Sequence, residues 1–79
     1  MDIDEDKIDE AVLALLFLTL HGSSRAWKGH DWDAMERLYD KGMILDPVGK
    51  AKSVVLTEQG LAESERLFNK LFAKRPALP

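Results

Sequence analysis

The run AVLALLFLTL, residues 11–20, limits the possible folds more than any other part of the chain. It has ten residues and no charge. A membrane-crossing helix needs about 20 apolar residues, so this run reads as a helix that must be buried inside protein. The whole chain has 79 residues with which to bury it, and a domain of that size covers roughly 60–65% of its unfolded surface. The expectation is one small domain over residues 1–75, followed by a frayed tail at 76–79 marked by Pro76 and Pro79.

Ile8, Val12, Leu15 and Leu16 recur at helical spacing, and Leu13, Phe17 and Leu20 widen the stripe. The helix is expected to run from about Asp4 to His21–Gly22. So wide a stripe implies burial on more than one side, by the domain core or by a second copy of the chain. The leader MDIDEDKIDE holds six acids and one lysine. Asp4, Glu5 and Asp6 there suit the positive end of a helix dipole, and the leader is the reverse of the basic start of a signal peptide. The absence of cysteine removes any disulfide framework or thiolate metal site. These features fit a cytoplasmic protein with no membrane segment.

GSSRAWKGH, residues 22–30, reads as a loop or a short irregular helix, with Trp27 anchoring it to the core. In DWDAMERLYDKG, Asp31 is a natural N-cap for a helix over Trp32–Lys41. Met35, Leu38 and Tyr39 form its buried side, with Trp32 one turn before Met35. Gly42 stands at the left-handed position after the helix, and Leu38 to Met43 is the hydrophobic contact of a Schellman motif. MILD and SVVLT then read as two strands of a hairpin joined by PVGKAK. Thr57 caps the last helix, and Leu56 and Leu61 form a hydrophobic staple. Gly60 occupies the position where a capping box would place Glu or Gln. Leu61, Phe68, Leu71 and Phe72 stripe this helix with Leu67 beside them, and Arg66, Lys70, Lys74 and Arg75 give it a basic outer surface.

DAMERLYDKGMI followed by VVLTEQGLAESERLF resembles the helix–wing–helix half of winged-helix regulators, of the multiple-antibiotic-resistance and phenolic-acid-regulator types. Leu38, Lys41, Gly42, Met43, Ile44, Leu56, Thr57 and Gly60 carry the resemblance, which covers roughly residues 33–71. It implies an α+β, winged-helix-like fold of three main helices and a two-stranded β-hairpin wing. The second helix of such a fold is short or missing here. The whole chain also resembles a small family of uncharacterised bacterial proteins, through SRAWKGHDWDAMERLYDKGMI and DPVGKAKSV.

Two kinds of partner follow: duplex DNA, or a protein bound by a winged-helix scaffold that does not touch DNA. A DNA-binding role implied by the regulator resemblance would use Arg25, Lys28, Arg37, Lys50 and Lys52 as phosphate contacts. Against it, Asp31 and Asp33 would stand in the first turn of the recognition helix, and the net charge is −3. The two readings separate on whether Arg25, Lys28, Lys50 and Lys52 converge. A homodimer through Leu16, Leu67, Leu71 and Phe72 is compatible with either. Trp27, Trp32 and Tyr39 are expected to be structural. His21, His30, Asp31 and Asp33 match no metal-ligand spacing and read as caps and loop contacts. Ser23, Ser24 and His21 lack a third orienting group, and no phosphate-cradling GxxxxGK[ST] is present. The expectation is a non-enzymatic binding module without a cofactor.

Overall fold

The computed structural model describes residues 1–74. The expected tail at 76–79 and the basic contribution of Arg75 lie outside them. The elements are α1 (Glu5–Leu18), β1 (Arg25–Trp27), α2 (Trp32–Asp40), β2 (Ser53–Val55) and α3 (Glu58–Phe72). The class is α+β, three helices and a two-stranded antiparallel sheet, as the sequence implied.

The Asp4 carboxylate accepts from the Lys7 amide and starts α1. The helix stops at Leu18, before the expected His21, because Thr19 gives the chain another use for its hydrogen bonds. Its hydroxyl accepts from the Trp27 amide at 3.0 Å and donates to the Leu16 carbonyl at 3.4 Å. The chain then reverses through Gly22, at a φ of 61° that suits glycine. His21 and Arg25 exchange backbone hydrogen bonds across this turn at 2.7 and 3.1 Å. The segment expected as loop or short helix therefore leaves the turn as a strand.

β1 pairs with β2 in the register Arg25 to Val55, Ala26 to Val54 and Trp27 to Ser53. Period two puts Ala26 and Val54 in the core and turns Arg25 and Trp27 to the outside. This corrects the expected hairpin, in which MILD was the partner of SVVLT. Ile44 makes only an isolated bridge to Leu56, and the Leu45 amide donates to the Val55 carbonyl at 2.9 Å. The pairing goes no further because Pro47 has no N–H to donate. The Asp46 carboxylate meanwhile accepts from the Val48 amide and bends the chain away.

α2 ends as its sequence dictates. Gly42 has a φ of 78°, its amide bonds to the Tyr39 carbonyl, and the Met43 amide bonds to the Leu38 carbonyl, both at 3.0 Å. These are the two bonds of a Schellman motif. The same corner starts α3. Thr57 donates its amide to the Met43 carbonyl at 3.0 Å and its hydroxyl to the Gly42 carbonyl at 2.7 Å. Its hydroxyl oxygen also accepts from the Gly60 amide at 2.9 Å. A Cβ on Gly60 would overlap the Met43 carbonyl, so close backbone approach excludes the Glu or Gln of a capping box.

The core is built from Val12, Leu13 and Leu16 of α1, Met35 and Leu38 of α2, Ile44, the sheet residues Ala26 and Val54, Leu56, and Leu67 of α3. α1 packs against both α2 and α3 and touches β1, which accounts for its wide apolar stripe within one chain. Leu16 and Leu67, expected at a dimer interface, are buried in this core. Leu71 and Phe72, the last two residues of α3, are about half exposed. Trp27, Trp32 and Tyr39 are not core residues either, at 49%, 46% and 45% exposure. On the short α2, Ala34, Met35 and Leu38 already fill the inward face. Trp27 points outward on its strand, and its indole lies where a side chain on Gly29 would stand.

Candidate functional site

Two cations, Arg37 of α2 and Lys41 at its C-cap, determine what the helix presents to the outside, and both are bonded to α1. Asp9 belongs to the buried stripe of α1, together with Val12, Leu13 and Leu16, and is 2% exposed. A carboxylate removed from water needs charged or hydrogen-bonding partners. Arg37 Nε donates to both Asp9 oxygens at 3.0 and 2.9 Å, and its Nη2 lies 2.8 Å from Oδ1. Lys41 Nζ donates to Asp9 Oδ2 at 2.8 Å. Two further acids of the leader join: Glu5 accepts from Arg37 at 3.1 Å and Asp6 from Lys41 at 3.2 Å. Burial works to raise the Asp9 carboxyl, but the bonds and charges of Arg37 and Lys41 outweigh it and hold the group below its ordinary value. Their bonds to Asp9 hold Arg37 and Lys41 above theirs.

Arg37, which the sequence suggested as a phosphate contact, instead has its guanidinium bonded to a buried carboxylate. Asp9 was not singled out from the sequence. The available signal was its place at i, i+3, i+4 and i+7 with Val12, Leu13 and Leu16, since a charge on a buried stripe demands a partner.

With Arg37 and Lys41 paired to Asp9, α2 exposes Trp32, Asp33, Glu36, Tyr39 and Asp40. Trp32 Nε1 donates to Glu36 Oε1 at 3.0 Å, which orients both side chains. Beside this face runs a groove of about 340 Å³, lined on one wall by Glu36, Tyr39 and Asp40 and on the other by Asp46, Pro47 and Val48. Lys28 holds the second wall in place. Its ammonium donates to the Pro47 carbonyl at 2.6 Å and the Gly49 carbonyl at 3.1 Å.

The four cations expected to converge do so in part. The Lys28 amide bonds to the Lys52 carbonyl at 3.1 Å, which places these two side by side at one end of the sheet. Arg25 starts β1 and reaches diagonally to the Ser53 hydroxyl at 3.1 Å. Lys50 and Lys52 are exposed. Lys28, however, is engaged with two carbonyls of its own chain.

The histidine and aspartate grouping divides into separate local roles. His21 Nδ1 lies 3.0 Å from the Thr19 carbonyl, and Asp31 caps α2 through the Ala34 amide at 3.1 Å. His30 Nε2 is buried without a hydrogen-bond partner, and burial pushes the imidazole below its ordinary pKa. Among the described residues, no three His, Cys, Asp or Glu side chains are placed to hold a metal ion, and no helix is long and apolar enough to cross a membrane. Phe17 and Phe68 pack with their rings tilted and centroids 5.3 Å apart, and Phe68 and Phe72 do so at 5.7 Å.

The family model for a domain of unknown function, DUF6429, matches residues 4–74 of this chain. A relative from the bacterium Sinorhizobium fredii, the uncharacterized protein y4hR, is 61% identical over 74 residues. That alignment covers 94% of this chain and all of the relative. No solved structure matches the chain.

Proposed function

The chain belongs to the DUF6429 family, and from that premise we propose that it is a non-enzymatic protein-interaction module working in the cytoplasm. Its scaffold is winged-helix-like, with β1 in the place of the usual second helix. One observation carries the reading: the outward face of α2 is acidic and aromatic because Arg37 and Lys41 are held by Asp9. A helix that presents Asp33, Glu36 and Asp40 repels the phosphates that a recognition helix must approach. Exposed Trp32 and Tyr39 are residue types enriched where proteins meet. The lack of cysteine supports the cytoplasmic placement.

A second reading is duplex DNA held by Arg25, Lys28, Lys50 and Lys52, favoured by the pairing of Lys28 with Lys52 on the sheet that Arg25 begins. Fluorescence anisotropy of mixed-sequence duplex DNA, at low and near-physiological salt, separates the two. The protein-interaction reading expects no saturable binding at either salt concentration. Micromolar binding that weakens steeply with salt, and is lost in a Lys50→Ala/Lys52→Ala variant, would replace it with the DNA reading.

A further inference from the structure

We propose that the groove between α2 and residues 46–48 binds a basic segment of a partner protein. One arginine or lysine side chain of that segment lies against Tyr39 between Glu36, Asp40 and Asp46. The inference rests on the protein-interaction reading and assigns that reading its site and the chemistry of its partner.

Charge complementarity selects this occupant. Carboxylates stand on both walls, Glu36 and Asp40 on α2 and Asp46 on the loop. The α2 cations that would neutralise them are bound to Asp9 instead. Each carboxylate keeps acceptor capacity: Glu36 gives one oxygen to Trp32, and Asp46 gives one to the Val48 amide. Asp40 is in no ion pair among the described residues. Guanidinium groups match carboxylates with two parallel bonds.

The remaining lining fits the rest of such a side chain. Tyr39, 45% exposed, offers a ring over which a cation is attracted. Val48, 69% exposed, offers apolar surface to an aliphatic stem. A metal ion is a poor occupant, because the carboxylates do not gather at ligand distance. A nucleic acid is a poor one because the groove is acidic. The volume of about 340 Å³ exceeds one side chain, so it admits neighbouring backbone as well. The loop wall is preset by Lys28, which lowers the ordering cost of binding.

The test is an amide-resolved NMR titration of the intact chain with a short capped peptide carrying arginines at alternate positions. An acidic peptide of the same length serves as control. The expected result is a saturable shift centred on Glu36, Tyr39, Asp40 and Asp46 to Val48, weakened by salt. Asp40→Asn and Asp46→Asn are each expected to weaken it about tenfold, roughly 1.4 kcal/mol by the tenfold conversion. Asn at position 46 can still accept from the Val48 amide, so the loop is retained. Asp33→Asn removes the same charge from α2 outside the groove and is expected to leave the affinity within about twofold.

Shifts spread evenly over the acidic leader, or an affinity equally sensitive to Asp33→Asn, would overturn the groove as the site. So would a complete absence of shifts. Any of these three results, together with no DNA binding, leaves the protein-interaction reading standing with a different surface. Duplex DNA binding lost with Lys50 and Lys52 would end both.

Discussion

Carboxylates lie against both flanks of α2, and the two flanks have opposite fates. Toward α1, Asp9 is buried and bonded by Arg37 and Lys41. Toward the 46–48 loop, Glu36, Asp40 and Asp46 face an open groove and receive no cation among the described residues. The first arrangement uses its charges internally and serves folding. The second leaves them available for the basic segment proposed as their partner. One helix thus shows that the balance of acids and bases in a sequence says little until the pairs are known, since α2 holds both signs yet shows one.

The largest expected effect removes the platform that both flanks share. Gly60→Ala forces a Cβ into the Met43 carbonyl where α2 hands over to α3. Its expected cost is about 3 kcal/mol of unfolding free energy, read from urea denaturation, with both flanks lost together. Asp9→Ala breaks only the inner flank. It removes an acceptor of several charge-assisted bonds, and the partly exposed Arg37 and Lys41 can turn to water. About 2 kcal/mol is expected. A null result for Asp9→Ala would erase the distinction between the flanks.

Acid sharpens the comparison. Asp9 is held below its ordinary value, so its contribution is complete above the unfolded aspartate pKa of about 3.9. That contribution is lost as the pH falls through the lower folded value. His30 is also held below its ordinary value, of about 6.5, but by burial alone. The unfolded chain binds that proton first, so stability falls as the pH drops below the unfolded histidine value. The urea midpoint should decline in two stages on acidification. His30→Leu should remove the upper stage and Asp9→Asn should reduce the lower one.

The smallest effect lies on the outer flank. Asp40→Asn and Asp46→Asn should change stability by no more than about 0.5 kcal/mol while weakening the peptide. A large loss of stability in either would mean that the groove is structural.

Legibility in the sequence followed the range of the interactions. The capping roles of Asp31, Gly42 and Thr57 lie within a turn of each residue and were readable, whereas the bonds from Thr57 back to Gly42 and Met43 were not. β1 was not, because three residues reveal a strand only by their partner, and β2 begins 26 positions after Trp27. The MILD strand was overcalled for the complementary reason: apolar alternation was present, but Pro47 and the Asp46 turn ended the pairing. Asp9 was hidden inside an acidic leader that looks solvated throughout, and only its register with Val12 and Leu16 distinguishes it. The acidic face of α2 was visible residue by residue, whereas the removal of Arg37 from that face required the α1 contact. Leu16 and Leu67 could not be sorted from Leu71 and Phe72 by periodicity alone, because helix ends overhang a core whose length the sequence does not state.

The corner at Met43 has a dynamic consequence. One carbonyl there receives the amide that opens α3, and Thr57 also ties Gly42, just past the end of α2, to the Gly60 amide. Fraying at the end of α2 cannot proceed without loosening the start of α3, so the two helices open to solvent exchange as one cooperative unit. In hydrogen–deuterium exchange, the amides of Met43, Thr57 and Gly60 should therefore report the same opening free energy, although fourteen residues separate the first from the second.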